Sequence, residues 1–485
     1  MPTSPAFIII LLSVLRAGLI PALANPCYTS KEFEHVLNLT GAKRVLSHST
    51  LSKGSLKEVG IEKEAIVDVT WPSSTSDTES LWSAYNDDLN KSIHIVEKKG
   101  KRIDWKQTAA IFFSSGTTGL PKAVCLSHYN LISEFFCTDV VPGYGQGDEL
   151  DTQGMVCLPA FHVAGLLSWF MPSVKRLPVH FCLQQPFDMN LVAKVLEKEK
   201  VERVTFVPPV LLLFVRAGFA KPRTYTALRH IVVGAAPLGA TLQSEAMEAL
   251  GGVPIIQVWG MTETTGAVTC ASPLERIIPG SAGKVVPGTE LRLVDDNGQD
   301  VQHGAQGEVW IRSPMNMIGY LHNTEATSET LDEHGWLKTG DIGLMDKEEN
   351  LFIVDRKKEL IKYRGSQVAP AELEDLILGH PDIADVGVVG IAGPEEVGDL
   401  PRAYVTLSQQ GKSKSAEEIK VSLSQFVKEK VSNAKQLRGG VIIIDQIPKR
   451  FVESLFCSCQ KGHADTLFRL LFVIYTLRIT VRVER

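Results

Sequence analysis

Ala109-Ala110-Ile111-Phe112-Phe113 runs directly into Ser114-Ser115-Gly116-Thr117-Thr118-Gly119-Leu120-Pro121-Lys122. An apolar run that ends in a turn signal is expected to be a strand. That strand delivers a loop rich in glycine and hydroxyls that ends in one lysine. Such a loop suits a triphosphate: glycines free backbone N–H groups, Ser and Thr offer hydroxyls, and an ammonium adds positive charge. The spacing differs from the Walker A loop, because Lys122 has no Gly directly before it and no Ser or Thr directly after it. A polar surface turn is the simpler alternative, but nine residues of this composition rarely arise for that purpose.

Outward from this loop, residues 8 to about 355 alternate helical stretches with short β-branched runs, the texture of a layered α/β protein. Strands are expected at 204–207, 231–233 and 254–258, with helices at 191–200 and 242–250, and this rhythm favours parallel pairing. Near Lys284 the texture changes to short strands at 291–295, 307–311 and 351–354, separated by Asp-Asn-Gly and glycine-rich turns. The charged stretch Asp355-Arg356-Lys357-Lys358-Glu359 then precedes a βαβ-like unit with a helix at 370–378 and a strand at 383–389. The expected organisation is therefore a large α/β domain over 1–355 that includes a small β-rich subdomain. A smaller, mobile α+β domain follows over 356–450, and then a divergent tail over 451–485. In that tail the apolar run 467–481 with scattered Arg matches no recognisable element.

The formal net charge of −5 over 485 residues is spread along the chain, without the basic patch that nucleic acid binding needs. Cys27, Cys125, Cys137, Cys157, Cys182 and Cys270 stand singly in apolar surroundings, which suits reduced thiols in the cytoplasm better than a disulfide framework. Cys457, Cys459 and His463 are close together but match no standard zinc spacing, and read as a chance cluster. The apolar run 7–15, followed by Ala22-Leu23-Ala24, has the look of a signal peptide, yet no Lys or Arg precedes it. At nine residues it is also too short to span a bilayer, so no stable membrane insertion is expected.

The nonapeptide 114–122 resembles the phosphate-binding signature of the adenylate-forming enzymes, which include acyl-CoA synthetases, 4-coumarate:CoA ligases and beetle luciferases. Further stretches resemble the family in order: Gly234-Ala235-Ala236-Pro237, QVWGMTE at 257–263, GWLKTGDIG at 335–343 and VDRKKELIKYRGSQVAPAELE at 354–374. Residues 13–30 resemble a helix and strand that lie well inside the family's large domain, which makes a signal peptide improbable. The same match implies a chain that starts late relative to the family and leaves some core surface uncovered.

The resemblance implies a two-step reaction. A carboxylic acid, aryl or fatty, attacks the α-phosphate of ATP to give an acyl adenylate, and the thiol of CoA then takes the acyl group. It implies ATP/AMP-binding roles for Ser114, Ser115, Gly116, Thr117, Thr118, Lys122, Ala236, Gln257, Thr262, Asp341 and Arg356. Glu263 would hold Mg²⁺, Asp341 and Arg356 the ribose, and Gln257 with the 234–237 turn the adenine. His162, Ala164, Ser168, Val258 and Gly260 would line the acid pocket, with His162 also catalytic, shifting as the carboxylate enters. Val258 stands where the family usually has Gly and is expected to reshape that pocket. Ala164 stands where hydroxycinnamate ligases place a Tyr. Lys362 and Gln367 are implied in catalysis of the second step, with Arg364 and Gly365 orienting CoA after a domain rotation. Arg364 keeps the charge of a frequent Lys but changes its geometry.

One departure stands out. The family's small domain carries a lysine in a Pro-Lys-(x)-Pro-Ser-Gly-Lys stretch that bridges the carboxylate and the α-phosphate. Here Ile447-Pro448-Lys449 is followed by Arg450-Phe451-Val452-Glu453, and no Ser-Gly-Lys occurs downstream. Two alternatives to a competent ligase therefore stand: a weak nucleotide or acyl-adenylate binder that lacks this lysine, and a luciferase-like oxygenase sharing the same motifs. The C-terminal Val483-Glu484-Arg485 is not a peroxisomal Ser-Lys-Leu signal, although a different native end could carry one.

Overall fold

Burial on both faces decides which runs become central strands. Ala109, Ala110, Ile111, Phe112 and Phe113 are all buried. They lie in β1 (Thr108–Ser114), which turns back into β2 (Lys122–Ser127) as an antiparallel hairpin with Ser114 opposite Lys122. The phosphate-type loop is thus closed by a strand on each side, where a Walker loop would lead into a helix. The computed structural model describes residues 5–47, 59, 66–68, 104–114, 120–142, 153–174, 179–181, 187–364, 366–394, 396–447 and 469–470. Ser115, Gly116, Thr117, Thr118, Gly119 and Gly365 lie outside them, as do Cys457, Cys459, His463 and the Arg450-Phe451-Val452-Glu453 stretch.

The run 7–15 falls in the helix Pro5–Arg16. Its Phe7, Ile8 and Leu11 are buried in one cluster with Phe112, Val124 and Val156, and Ala22–Leu23 then pairs parallel to β1. Helix and strand here form part of the large domain's core. Beyond the helix, Leu19 and Ile20 are exposed. The helix α1 (His128–Asp139) follows β2 directly, opened by a Ser127 capping box with Asn130.

A second, larger sheet has the order 284–285, 266–270, 255–261, 230–233, 203–206, 154–156, 179–181 and 469–470. From 255–261 to 179–181 all neighbours are parallel. The helices Met189–Lys198, Pro208–Arg216 and Ala240–Ala249 pack Val192, Leu211 and Leu242 into one core with Val204, Phe206 and Ile231. The expected parallel rhythm is present, with strand and helix ends shifted by up to three residues. The tail yields one element that the sequence did not announce, Arg469–Leu470, paired antiparallel with Val179–Phe181.

The β-rich part is a four-stranded antiparallel sheet, Glu290–Val294, Gly307–Arg312, Leu337–Met345 and Leu351–Arg356. The next residues form the hairpin Ile361–Tyr363 with Ser366–Val368. The smaller α+β unit consists of a three-stranded sheet, Ile383–Ala392, Asp399–Leu407 and Val441–Ile443, packed by the helices Pro370–Leu378 and Ala416–Lys430. Pro370–Leu378 lies against Ala240–Ala249. There the Asp375 carboxylate accepts from the Thr241 backbone N–H and hydroxyl, both at 3.1 Å. Gly239, the residue before that helix, has no side chain to cap it, so a carboxylate from the smaller unit serves the orphan donors. Among the described residues, no helix is long and apolar enough to cross a membrane.

Candidate functional site

The site gathers at the ends of two neighbouring strands, which we label β3 (Ile255–Met261) and β4 (Gly266–Cys270). Between them runs a single 3₁₀ turn, Thr262–Thr264. The buried Thr264 hydroxyl donates to Gly266 O at 2.9 Å, and the Thr265 hydroxyl donates to Met315 O at 2.5 Å. Thr265 is held at φ 63°, an unusual conformation for a β-branched residue. These bonds fix Thr262 and Glu263 on a braced corner. Gly260 is required there, because a Cβ would stand 1.7 Å from Gly266 O across the hairpin.

Glu263 is buried, and its Oε1 accepts the Tyr320 hydroxyl at 2.9 Å. Burial, reinforced by the Glu263 charge, pushes the Tyr320 phenol upward, so it stays protonated and donates. The ammonium of Lys122 lies 4.8 Å from the centre of the Tyr320 ring. One tyrosine therefore links the lysine at the end of the phosphate-type loop to the metal candidate. Glu263 suits Mg²⁺, which keeps waters and takes one or two carboxylates together with substrate phosphates. Among the described residues, no group of three or more His, Cys, Asp or Glu offers a caged metal site instead.

Asp341 lies on β5 (Leu337–Met345), directly opposite Arg356 of the adjacent strand. The Trp259 indole N–H donates to its Oδ2 at 2.8 Å, and the Arg356 Nε lies 3.6 Å from Oδ1. Burial raises the Asp341 carboxyl, and the Trp259 bond followed by the Arg356 charge work against that rise. Half-exposed Arg356 is free to turn towards a ligand, since its contact with Asp341 is long and solvent-screened. Trp336 serves packing instead. Arg292 and Arg312 stack over its ring at 5.2 and 4.8 Å, which consolidates the β-rich sheet.

Gln257 pairs in register with Val233, just before the turn Gly234-Ala235-Ala236-Pro237. Ala235 adopts φ 67°, which turns the backbone across the end of β3. The Gln257 side chain is buried, and its Oε1 meets no hydrogen-bond partner among the described residues. An orphaned amide oxygen costs about 1–3 kcal/mol, and an adenine amine would satisfy it. A Cβ at Gly234 would stand 2.7 Å from Val258 Cγ2. The Val258 isopropyl group thus fills the space beside Gly234, packed near Ile256 and Val268.

His162 starts the helix α2 (Val163–Val174), with its backbone N–H bonded to Pro159 O at 3.1 Å. Burial pushes the imidazole down to about 4, so it is neutral at physiological pH. Gly165 lets the helix approach Pro159, where a Cβ would stand 1.9 Å from the carbonyl oxygen. The Ser168 hydroxyl donates back to Ala164 O at 2.7 Å, so only its lone pairs face outward.

Lys362 and Gln367 sit opposite one another on the hairpin, both exposed. Arg364 is held at φ 47° with its N–H bonded to Val397 O at 2.8 Å, its guanidinium 5.7 Å from the Tyr363 ring. Among the described residues, Lys122 and Glu263 are therefore joined through Tyr320, and Asp341 and Arg356 are joined to β3 through Trp259, while the hairpin residues form a separate exposed group.

The sequence profile of the AMP-binding enzyme family matches residues 1–321, and that of the AMP-binding enzyme C-terminal domain matches 372–450. The chain belongs to the AMP-binding enzyme family. This membership carries its reaction class, acid–thiol ligation: ATP-dependent activation of a carboxylic acid through an acyl adenylate, and transfer to CoA. A probable 4-coumarate–CoA ligase 1 of Dictyostelium discoideum is 36% identical over 467 residues, covering 93% of this chain and 82% of the relative. A putative acyl-coenzyme A synthetase of Emericella nidulans is 41% identical over 348 residues, 70% of this chain and 61% of the relative. Among solved structures, the o-succinylbenzoate CoA synthetase of Bacillus subtilis in complex with its acyl-adenylate intermediate has a TM-score of 0.74. It is 24% identical and covers 96% of this chain and 88% of that one. ATP-bound MatB from Rhodopseudomonas palustris has a TM-score of 0.76 at 21% identity, covering 93% and 84%. These two establish the shared fold.

Within this AMP-binding enzyme, two site residues escaped the sequence reading. Trp259 was inside the QVWGMTE stretch, but only the fold shows that its indole reaches Asp341 some 82 positions away. Tyr320 carried no local signal, since its role depends on two other segments meeting its hydroxyl and its ring.

Proposed function

We propose that this enzyme activates an aryl or fatty carboxylic acid at the β3–β4 corner and completes the transfer to CoA with residues of the 361–368 hairpin. The observation that carries this reading is the Lys122–Tyr320–Glu263 linkage beside the Trp259–Asp341–Arg356 cluster. A triphosphate laid along β3 would meet Lys122 and Thr262, its ribose hydroxyls would donate to Asp341, and its adenine would face Gln257. Mg²⁺ held by Glu263 would neutralise charge that builds on the phosphates. His162, neutral and near the entry of the acid pocket, has no charge to compete with the incoming carboxylate. Lys362, Gln367, Arg364 and Gly365 then serve the thiol step once the smaller unit, taken as 356–450, turns about its junction with 1–355. The enzyme is taken to work in the cytoplasm.

A panel of aryl and fatty acids supplied with MgATP and CoA tests this, with thioester and pyrophosphate both measured. Thioester formation from at least one acid is expected; no product and no pyrophosphate from any acid would overturn the reading.

A second reading has its own support. The substitution of Arg450-Phe451-Val452-Glu453 for the expected Ser-Gly-Lys stretch removes an ammonium from adenylation, which slows that step by about 10² to 10³, as for the loss of one transition-state donor. Synthetic acyl adenylate with CoA would then react much faster than acid with ATP. Equal failure of both routes would contradict this.

A further inference from the structure

Tyr320 is buried in an apolar cluster, yet its hydroxyl and its ring both meet charged groups. It pairs with Val124 of β2 in antiparallel register. Lys122 is two residues from Val124 and shares its face of the strand, which sets the lysine diagonally across from the tyrosine and within reach of its ring. The same segment holds Glu263 twice: the Met317 N–H donates to Glu263 O at 2.8 Å, and the Tyr320 hydroxyl donates to Oε1 at 2.9 Å. The Thr327 hydroxyl accepts the Tyr320 N–H at 2.9 Å and donates to Asn323 O at 2.7 Å, so the helix Thr324–Thr330 pins the tyrosine's backbone.

These contacts differ from those of a tyrosine that only fills a core. Tyr225 is also buried, and its hydroxyl donates to the backbone carbonyl of Phe219 at 2.9 Å. The Tyr320 hydroxyl is instead spent on a carboxylate 57 positions away. The lysine stands out in the same sense. Lys357 pairs with Asp296 and Glu308 at 2.9 and 3.1 Å, whereas Lys122, among the described residues, meets no carboxylate within ion-pair distance and lies over the tyrosine ring. Glu263 has no cation partner among them either, and its Oε2 makes no hydrogen bond there and is not sealed from solvent. A phenol therefore separates two opposite charges that would otherwise be drawn together.

We propose that Tyr320 is a positioning residue: its ring keeps Lys122 and Glu263 from pairing with each other before nucleotide binds, and its hydroxyl turns the Glu263 carboxylate so that Oε2 is left for the metal. This rests on the acid-activating reading above. A direct Lys122–Glu263 pair would neutralise both groups, and a magnesium-bound triphosphate would have to break it to reach either. With the ring between them the ammonium is held by a weak contact that phosphate oxygens outbid.

Calorimetric titration of the full chain with ATP, once with Mg²⁺ and once with EDTA, separates the two roles, because Glu263 can favour the nucleotide only through the metal. Tyr320→Phe keeps the ring and loses the hydroxyl. Its gain in affinity on adding Mg²⁺ is expected to fall by about fivefold, with affinity in EDTA unchanged. Tyr320→Leu also loses the spacer, so its affinity in EDTA falls by about fivefold. Adding Glu263→Gln to the Leu variant releases Lys122. The resulting gain in EDTA affinity is expected to exceed, by about threefold or more, the gain that Glu263→Gln gives in the wild-type background. A tyrosine that merely filled space would give equal gains. Equal gains, or a Phe variant with the wild-type response to Mg²⁺, overturn the proposal and leave acid activation standing. If the Leu variants do not fold, the Mg²⁺ response of the Phe variant decides alone. A folded wild type without Mg²⁺-dependent ATP affinity would instead bring down the acid-activating reading, and this inference with it.

Discussion

The β3–β4 corner and the 361–368 hairpin are built in opposite ways. At the corner, functional side chains are tied to groups distant in sequence: Glu263 to Tyr320, Asp341 to Trp259, and Thr265 to Met315. On the hairpin, Lys362 and Gln367 stand exposed across a two-stranded ladder, and Arg364 is tied only to nearby hairpin and loop groups, through its backbone N–H and the Tyr363 ring. The difference teaches where pre-organisation is needed. Phosphate chemistry depends on charges already in position, which is the role proposed for the buried and braced corner. Exposure on a surface ribbon suits the role proposed for the hairpin, delivery to the site by movement.

The most severe way to break this contrast is Glu263→Gln. It removes the charge proposed to hold Mg²⁺ but leaves an amide for Tyr320, and acid-dependent pyrophosphate release is expected to fall by about 10² to 10³. Thiolation of a preformed adenylate should fall far less, and an equal loss in both assays would show that the corner and the hairpin are not separable. Lys362→Ala is the converse variant. It should depress thiolation of synthetic acyl adenylate by about tenfold and leave pyrophosphate release unchanged.

A smaller effect is expected at the contact between the units. Asp375→Asn weakens the charge-assisted cap on the Ala240–Ala249 helix, worth about 1 kcal/mol or roughly fivefold in an equilibrium. If the contact belongs to one orientation of the smaller unit, the ratio of the two half-reaction rates shifts by about that factor. Unaltered rates with a lowered Tm would make it only a structural brace. Trp259→Phe removes the indole donor from Asp341 and should raise the KM for ATP by about fivefold, with thiolation of a bound adenylate nearly unaffected.

The last effect concerns pH and is read in stability, not in rate. Burial holds His162 at about 4, so the unfolded chain takes up a proton near pH 6.5 that the folded chain refuses. Stability is therefore full above about pH 6.5 and is lost as pH falls towards 4. His162→Asn should flatten that fall by up to about 2 kcal/mol at pH 5, read as a smaller drop in Tm between pH 7 and pH 5. An identical drop in both proteins would argue that the ring is solvated.

Much of the fold was legible because the core strands are either wholly apolar, as in β1, or follow the parallel rhythm around Val204, Ile231 and Ile255. The run 7–15 was ambiguous on hydropathy alone, and the resemblance of residues 13–30 resolved it towards a core helix followed by a strand. β1 pairs parallel with Ala22–Leu23 but antiparallel with β2, because a loop that returns after seven residues can only join antiparallel neighbours. Most candidate residues inside recognisable motifs were legible, whereas the contacts of Tyr320, and of Trp259 within its motif, are made only by tertiary packing.

The central claim is that the large domain holds a ready-made cradle for MgATP, and calorimetric titration of the full chain tests it most directly. The account predicts saturable, Mg²⁺-dependent ATP binding that weakens by at least about tenfold in Asp341→Ala. Absence of Mg²⁺-dependent binding in the folded wild type, or equal affinity in the two proteins, would contradict it.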